Sequence, residues 1–203
     1  RMGFNNKGAN EIQRILHRQG LIKRGLMPVP IGLNFGKSKI VELSEAKNDY
    51  ALSMNLLGRL ADYAVINISS PNTPGLRELQ SPIAIEKLFN TLNSISECPP
   101  LLIKIAPDLS NKEIDMICEI AISENIAGII ATNTSINRLG LDHRKIKGTG
   151  LTLKEESGGL SGSPLRARAL YVMKRLHERT KNKVHLIGVG GIDSPSAAWE
   201  RIT

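Results

Sequence analysis

Short apolar runs alternate with longer helical patterns along this chain, and that alternation restricts the fold more than any other feature. Residues 29–34, 63–68, 101–105, 128–132 and 184–189 are runs of five or six residues, rich in Val, Ile or Leu. Runs that are apolar nearly throughout predict strands of a parallel sheet, covered on both faces. Helical periodicity fills residues 44–60, 81–96, 111–125 and 163–180, with a shorter pattern at 10–18. Ser110 and Glu113 have the spacing of a capping box. Behind them Ile114, Ile117, Cys118 and Ala121 fall on one helix face. Strand–helix alternation of this kind means an α/β fold.

An open doubly wound sheet and a closed (β/α)8 barrel both fit that alternation, and the polar residues separate them. Strand after strand ends in a polar residue or glycine: Asn34, Asn67, Lys104, Asn133, then Gly190 and Gly191. Chemistry at the end of nearly every strand predicts a ring of strands around one site, the TIM barrel. An open sheet concentrates its ligand contacts at one switch point instead. The expected fold is therefore α/β, a (β/α)8 TIM barrel with about five of its eight strands present. The chain opens on Arg1 and closes within a helical pattern at 194–202. Residues 1–203 are thus expected to form a single partial catalytic domain, cut at both ends. The longest irregular stretch, 135–162, is rich in Gly, Lys and Thr, and loops of that length are commonly functional or disordered.

Only 3% of the residues are aromatic, so Ile, Leu, Val and Ala must build the core. The formal net charge is +8, which raises nucleic-acid binding as a reading. The cations are scattered, however (Lys37, Lys39, Arg144, Lys145, Lys147, Lys181, Lys183), with no aromatic residues between them to stack on bases. They read as a solvated basic surface, and no nucleic-acid partner is expected. Cys98 and Cys118 have no metal or redox spacing and suggest a reducing compartment. His17, His143, His177 and His185 are too dispersed to form a recognisable ligand set. No apolar run reaches the roughly 18 residues that span a bilayer.

The segment from Gly32 to Ser38 looks like a phosphate-binding P-loop, but three residues separate its glycines where that loop needs four. It reads better as a strand that ends at Asn34 with Gly36 freeing the turn. Residues 67–75 (Asn-Ile-Ser-Ser-Pro-Asn-Thr-Pro-Gly) are the most informative part of the chain. Ser, Pro, Asn and Gly also make ordinary turns. Two Asn, two Ser and a Thr directly off an apolar strand instead suit a planar ligand carrying carbonyl and N–H groups. Lys104, between Ile103 and Ile105, is either a snorkelling edge lysine or a cation held beside an electron-rich group. Schiff-base chemistry is a further option, and the amide-rich loop nearby favours a flavin. Thr132, Asn133 and Thr134 repeat the amide-and-hydroxyl theme. The glycine-rich segments 158–162 and 188–191 offer backbone N–H groups to a phosphate.

Together these segments, with residues 1–8 (Arg-Met-Gly-Phe-Asn-Asn-Lys-Gly) and 104–108 (Lys-Ile-Ala-Pro-Asp), resemble the class 2 dihydroorotate dehydrogenases, in family order across nearly the whole chain. The resemblance implies an FMN-containing enzyme of pyrimidine biosynthesis. Dihydroorotate would be oxidised to orotate, and a ubiquinone-type acceptor would reoxidise the flavin. By position, Ser70 matches the catalytic base, where class 1 enzymes carry cysteine, and Phe4 and Thr73 match residues that shape the exit of its proton. Asn34, Asn67, Lys104, Thr132, Gly162, Gly190 and Gly191 match flavin-binding positions. Arg1, Met2, Gly3, Phe4, Asn67, Asn72, Asn133 and Thr134 match the substrate site. No metal site is implied. Peripheral membrane association is expected through an N-terminal segment outside this chain, at the mitochondrial inner membrane in a eukaryote or the inner membrane of a bacterium. The competing readings are another FMN barrel oxidoreductase, disfavoured because those usually carry cysteine where Ser70 stands, a basic binding module, and a catalytically inactive truncated fragment.

Overall fold

Five parallel strands lie side by side in the order in which the chain visits them: β1 (Gly32–Phe35), β2 (Tyr63–Asn67), β3 (Leu101–Ile105), β4 (Gly128–Ala131) and β5 (His185–Gly188). This is a computed structural model, and it describes residues 4–141 and 143–202. The expected contributions of Arg1, Met2 and Gly3 therefore lie outside the described residues. The helices are α1 (Ala9–Arg18), α2 (Ala46–Leu57), α3 (Pro82–Asn93), α4 (Asn111–Ser123), α5 (Arg166–Thr180) and α6 (Pro195–Ile202). Each helix packs on the next in chain order. Crossovers between adjacent parallel strands are right-handed, so a sheet that never reverses its order carries its helices on one face. A doubly wound sheet would reverse and place helices on both. The architecture is an arc of barrel wall, with β1 and β5 as its open edges.

Alternation along each strand sorts the side chains into two layers. Ala64, Ile66, Leu101, Ile103, Ile105, Ile129 and Ala131 face the helices. There they meet Ile85, Leu88 and Phe89 of α3, Ile114, Ile117 and Cys118 of α4, and Val172 and Leu176 of α5 in one buried core. Sealing a Leu or Ile in such a layer contributes on the order of 1.5–3 kcal/mol. The opposite parity places Val65, Leu102 and Ile130 in a smaller cluster on the inner face, with Tyr63 and Ala127 against it. Gly32 has no side chain for a reason: a Cβ there would stand 2.1 Å from the Tyr63 ring.

Several boundaries differ from expectation. β1 begins at Gly32, not at 29, because Pro30 cannot donate to a ladder and the chain enters through Pro28 and Pro30. α2 is framed by 3-10 turns, Leu43–Glu45 and Gly58–Leu60, and α5 starts after another, Ser163–Leu165, that contains Pro164. Coverage on both faces holds for the central strands but not for β5, where Ile187 remains 39% exposed. Among the described residues no strand lies across from it. Lys37 is not part of a solvated basic surface: it is 4% exposed, and its ammonium donates to the carbonyls of Ser38 (2.9 Å) and Val41. The stretch 135–162 folds back on itself. Ser135 and Leu160 exchange backbone hydrogen bonds of 2.9 and 2.7 Å, and Lys145 pairs with Thr152.

The capping box forms as its spacing predicts. Glu113 N donates to Ser110 Oγ at 3.3 Å, and Glu113 Oε2 accepts from Ser110 N at 2.6 Å. Ser110→Ala in the full-length protein is expected to lower stability by about 1 kcal/mol, read as a lower denaturation midpoint at unchanged slope.

Candidate functional site

Because all five strands run the same way, their C-terminal ends and following loops share one rim. Register then sets which side chains are neighbours. Asn67 stands beside Lys104 across β2 and β3, and Lys104 beside Ile130 across β3 and β4. Asn34, Asn67 and Lys104 share the parity of Val65, Leu102 and Ile130, so they top the inner-face cluster.

Three asparagines, from β1, β2 and the loop after β4, are linked amide to amide. Asn67 Nδ2 donates to Asn34 Oδ1 at 3.3 Å, and Asn133 Nδ2 donates to Asn67 Oδ1 at 3.2 Å. Asn133 Nδ2 also donates to Ser69 Oγ at 3.0 Å, while Asn133 Oδ1 accepts from Thr134 N at 2.8 Å. Asn67 is 6% exposed, and its own carbonyl accepts from the phenol of Tyr50 at 3.0 Å. Burial pushes that phenol far above its ordinary pKa, so Tyr50 remains a neutral donor. Tyr50 was not legible as a site residue, because it lies 17 residues from Asn67 on α2.

Ser70 is 7% exposed, and its Oγ accepts from the backbone N–H of Asn72 at 3.3 Å. Thr73 is buried nearby in sequence and joins Phe4, Asn34, Gly36 and Lys37 in lining a cleft of about 480 Å³. Phe4 lies against Gly36, where a Cβ would come within 2.4 Å of its ring. Phe4 and Thr73 thus line one cavity.

Both glycine-rich segments border the turn into α5. Gly190 lies against Thr132 and Leu165, and Gly191 has φ +69 with the Arg166 backbone 2.5 Å from where its Cβ would be. No L side chain fits that position without moving the start of α5. Gly162, at φ 84, precedes the 3-10 turn into α5. Gly159 brings its loop against Thr134 Oγ1 and Pro71, so the loop after β4 touches the loop after β2.

At this rim, Thr132 and Lys104 each carry a polar group without a partner among the described residues. Thr132 Oγ1 is buried and makes no hydrogen bond. Lys104 is half-buried with no ion pair, and burial lowers its pKa. An unpaired buried hydroxyl and a desolvated cation are costly unless a ligand completes them. A flavin, with its polar ribityl chain and a ring that gains negative charge on reduction, fits that donor set. Neither cysteine is poised as a nucleophile: burial raises both thiols, Cys118 to about 11 with Asp115 adding to the effect. No group of His, Cys, Asp and Glu able to hold a metal occurs among the described residues, and no helix among them is long and apolar enough to cross a membrane.

Two residues without an expected role, Arg77 and Asp108, prove to be central. Arg77 bonds Ser69 O, Asp108 and Thr134 O together, from the loops after β2, β3 and β4.

Comparison with known proteins gives the family. The family model described as dihydroorotate dehydrogenase matches residues 1–203. The dihydroorotate dehydrogenase (quinone) of Prochlorococcus marinus is 56% identical over 203 residues, covering 100% of this chain and 52% of that protein. Its counterparts in Corynebacterium diphtheriae and Thermosynechococcus vestitus are 48% and 47% identical over the whole chain and 53% and 54% of their own lengths. The chain spans about half the length of the curated relatives it matches. The crystal structure of an Eimeria tenella DHODH in complex with ferulenol superposes with a TM-score of 0.82 at 30% identity, over 98% of this chain and 57% of that one. In its matched family model, in its relatives' sequences and in the course of its strands, the chain belongs to the dihydroorotate dehydrogenase family.

Proposed function

We propose that residues 1–203 are a single partial FMN-binding barrel domain of a protein that oxidises dihydroorotate to orotate and passes the electrons to a quinone. The observation that carries this is the chain of amides from Asn34 through Asn67 to Asn133 beside the unpaired Lys104, with buried Ser70 on the same rim. Bound FMN would supply the hydride acceptor. Asn34, Asn67, Lys104, Thr132, Gly162, Gly190 and Gly191 would hold it, with the Lys104 ammonium stabilising negative charge on the ring.

Oxidation of dihydroorotate removes a proton from one ring carbon and a hydride from its neighbour, leaving a double bond between them. Ser70 Oγ would take the proton. A serine is a weak base, and two features of its surroundings help it. The Asn72 N–H that points at Oγ would stabilise the alkoxide character Oγ gains as its own hydroxyl proton departs, while the ring proton arrives in its place. Burial keeps water from competing for the same oxygen. The cleft lined by Phe4 and Thr73 would then let the proton leave. Asn67, Asn72, Asn133 and Thr134 would bind the substrate's carbonyl and N–H edges, with Phe4, Arg1, Met2 and Gly3 completing its enclosure. An amide left unpaired in such a site costs about 1–3 kcal/mol, so the set also rejects rings with the wrong edge pattern. A quinone acceptor would put the whole protein at a membrane, the mitochondrial or bacterial inner membrane according to its source.

In the full-length protein Ser70→Ala is expected to slow flavin reduction by dihydroorotate about 10²–10⁴-fold while the flavin stays bound; stopped-flow absorbance decides, and an unchanged rate removes Ser70 as the base. Lys104→Met should weaken flavin binding. Burial lowers the Lys104 pKa, and only the protonated lysine offers a full positive charge to the ring's carbonyl oxygens. Flavin affinity of the unsubstituted protein should accordingly fall as pH rises through that lowered pKa, and the fall should vanish in Lys104→Met. Fluorescence titration of flavin across the alkaline range measures both, and the same pH dependence in the two proteins would contradict the role of Lys104.

A further inference from the structure

We infer that Arg77 and Asp108 are positioning residues: a clamp that fixes the loops carrying Ser70 and Asn133 relative to one another. This rests on the reading of those two residues given above. Arg77 lies in the 3-10 turn Leu76–Gln80 that follows the loop after β2. Its Nε donates to Ser69 O at 3.1 Å, its Nη1 to Asp108 Oδ2 at 2.7 Å and its Nη2 to Thr134 O at 2.8 Å. Asp108 in turn accepts from Ser135 Oγ, and from Ile136 N at 3.1 Å. One planar cation and one carboxylate thus tie together the loops that leave β2, β3 and β4.

The residues they grip are the immediate neighbours of the proposed chemistry. Ser69 precedes Ser70, and its Oγ accepts from Asn133 Nδ2 at 3.0 Å. Thr134 follows Asn133, and its N–H donates to Asn133 Oδ1 at 2.8 Å. Gln80 locks the base of the clamp, donating to Arg77 O at 3.3 Å and accepting from Ala106 N at 2.9 Å. The Arg77 and Asp108 side chains are only 20% and 21% exposed, which limits competition from water. The rigid fork of a guanidinium satisfies three acceptors at set angles, whereas a lysine ammonium at the end of a flexible stem does not.

A second ion pair in the molecule makes a control. Arg175 Nε and Nη2 bond Asp115 at 2.8 and 2.7 Å between α5 and α4, with side chains 26% and 20% exposed, on helices away from the rim. A general loss of stability would follow from breaking either pair. A loss of positioning would follow only from breaking the first.

The experiment compares Arg77→Met, Asp108→Asn and Arg175→Met in the full-length, flavin-loaded protein. It measures the rate of flavin reduction by dihydroorotate, the dissociation constant of orotate, flavin content, and amide hydrogen exchange across residues 67–73 and 132–136. Misplacement of a reacting group by an ångström costs about 10²-fold in rate. Arg77→Met is therefore expected to slow reduction by about that factor and to weaken orotate binding about tenfold with flavin content unchanged. Exchange should quicken in both loops. Asp108→Asn should move each quantity in the same direction, and it serves alone if Arg77→Met does not fold. Arg175→Met should lower the melting temperature and leave rate, orotate binding and loop exchange as they were. The clamp is overturned if the rim variants reduce flavin within about twofold of the unsubstituted protein with unchanged exchange, or if Arg175→Met reproduces their losses. Should dihydroorotate fail to reduce the unsubstituted protein, the substrate reading falls, and exchange still decides the clamp.

Discussion

Parallel pairing is the constraint on which the rest of the structure depends. Once each strand is hydrogen-bonded to the next in the same direction, every strand must end on the same rim, and every crossover helix must return on the same face. The helix-facing core of Ile66, Ile103, Ile129, Phe89 and Leu176 then holds the wall rigid. Period-two alternation leaves the other face for chemistry. Asn34, Asn67 and Lys104 reach the site because each shares the parity of the inner cluster of Val65, Leu102 and Ile130. A slip of one residue in any of these strands would turn its site residue into the core and bring a core residue out.

Polar pairing at the rim divides into satisfied and unsatisfied parts, and the division has functional meaning. The amides of Asn34, Asn67 and Asn133 are joined, Tyr50 anchors the Asn67 carbonyl, and Arg77 with Asp108 secures the loops outside them. That network keeps the empty site in shape. Thr132 Oγ1 and the Lys104 ammonium have no partner among the described residues. Groups left in that condition raise the free energy of the empty fold, and a ligand that pairs with them recovers it.

How much of this was legible follows from the range of each interaction. Strand and helix patterns, the Ser110–Glu113 box and the polar strand ends are local and could be read along the chain. The asparagines stand in short segments whose residue types suit a planar ligand, while the roles of Ser70 and Thr73 are implied only by the family resemblance. The start of β1 was misread because an apolar Val29 outweighed the prolines on either side of it. Lys37 was misread because its partners are backbone carbonyls, which have no residue-type signature. Arg77 and Asp108 lie 31 residues apart, and Arg77 and Thr134 are separated by 57. No periodicity links positions at such distances, so a clamp of this sort emerges only when the loops are placed in space. Asp108 already stood in a segment that carried the family resemblance, which was the one signal available for it.

The central claim is that the asparagine amides, Ser70 and Lys104 converge to hold a flat pyrimidine against a flat flavin. A crystal structure of the full-length protein with FMN and orotate tests it most directly. The account predicts the amides of Asn67 and Asn133 within about 3 Å of the pyrimidine edge, Ser70 Oγ facing the ring carbon that loses its proton, and Lys104 beside the flavin ring. Orotate bound elsewhere, or amides still bonded to one another with the pyrimidine out of their reach, would contradict it.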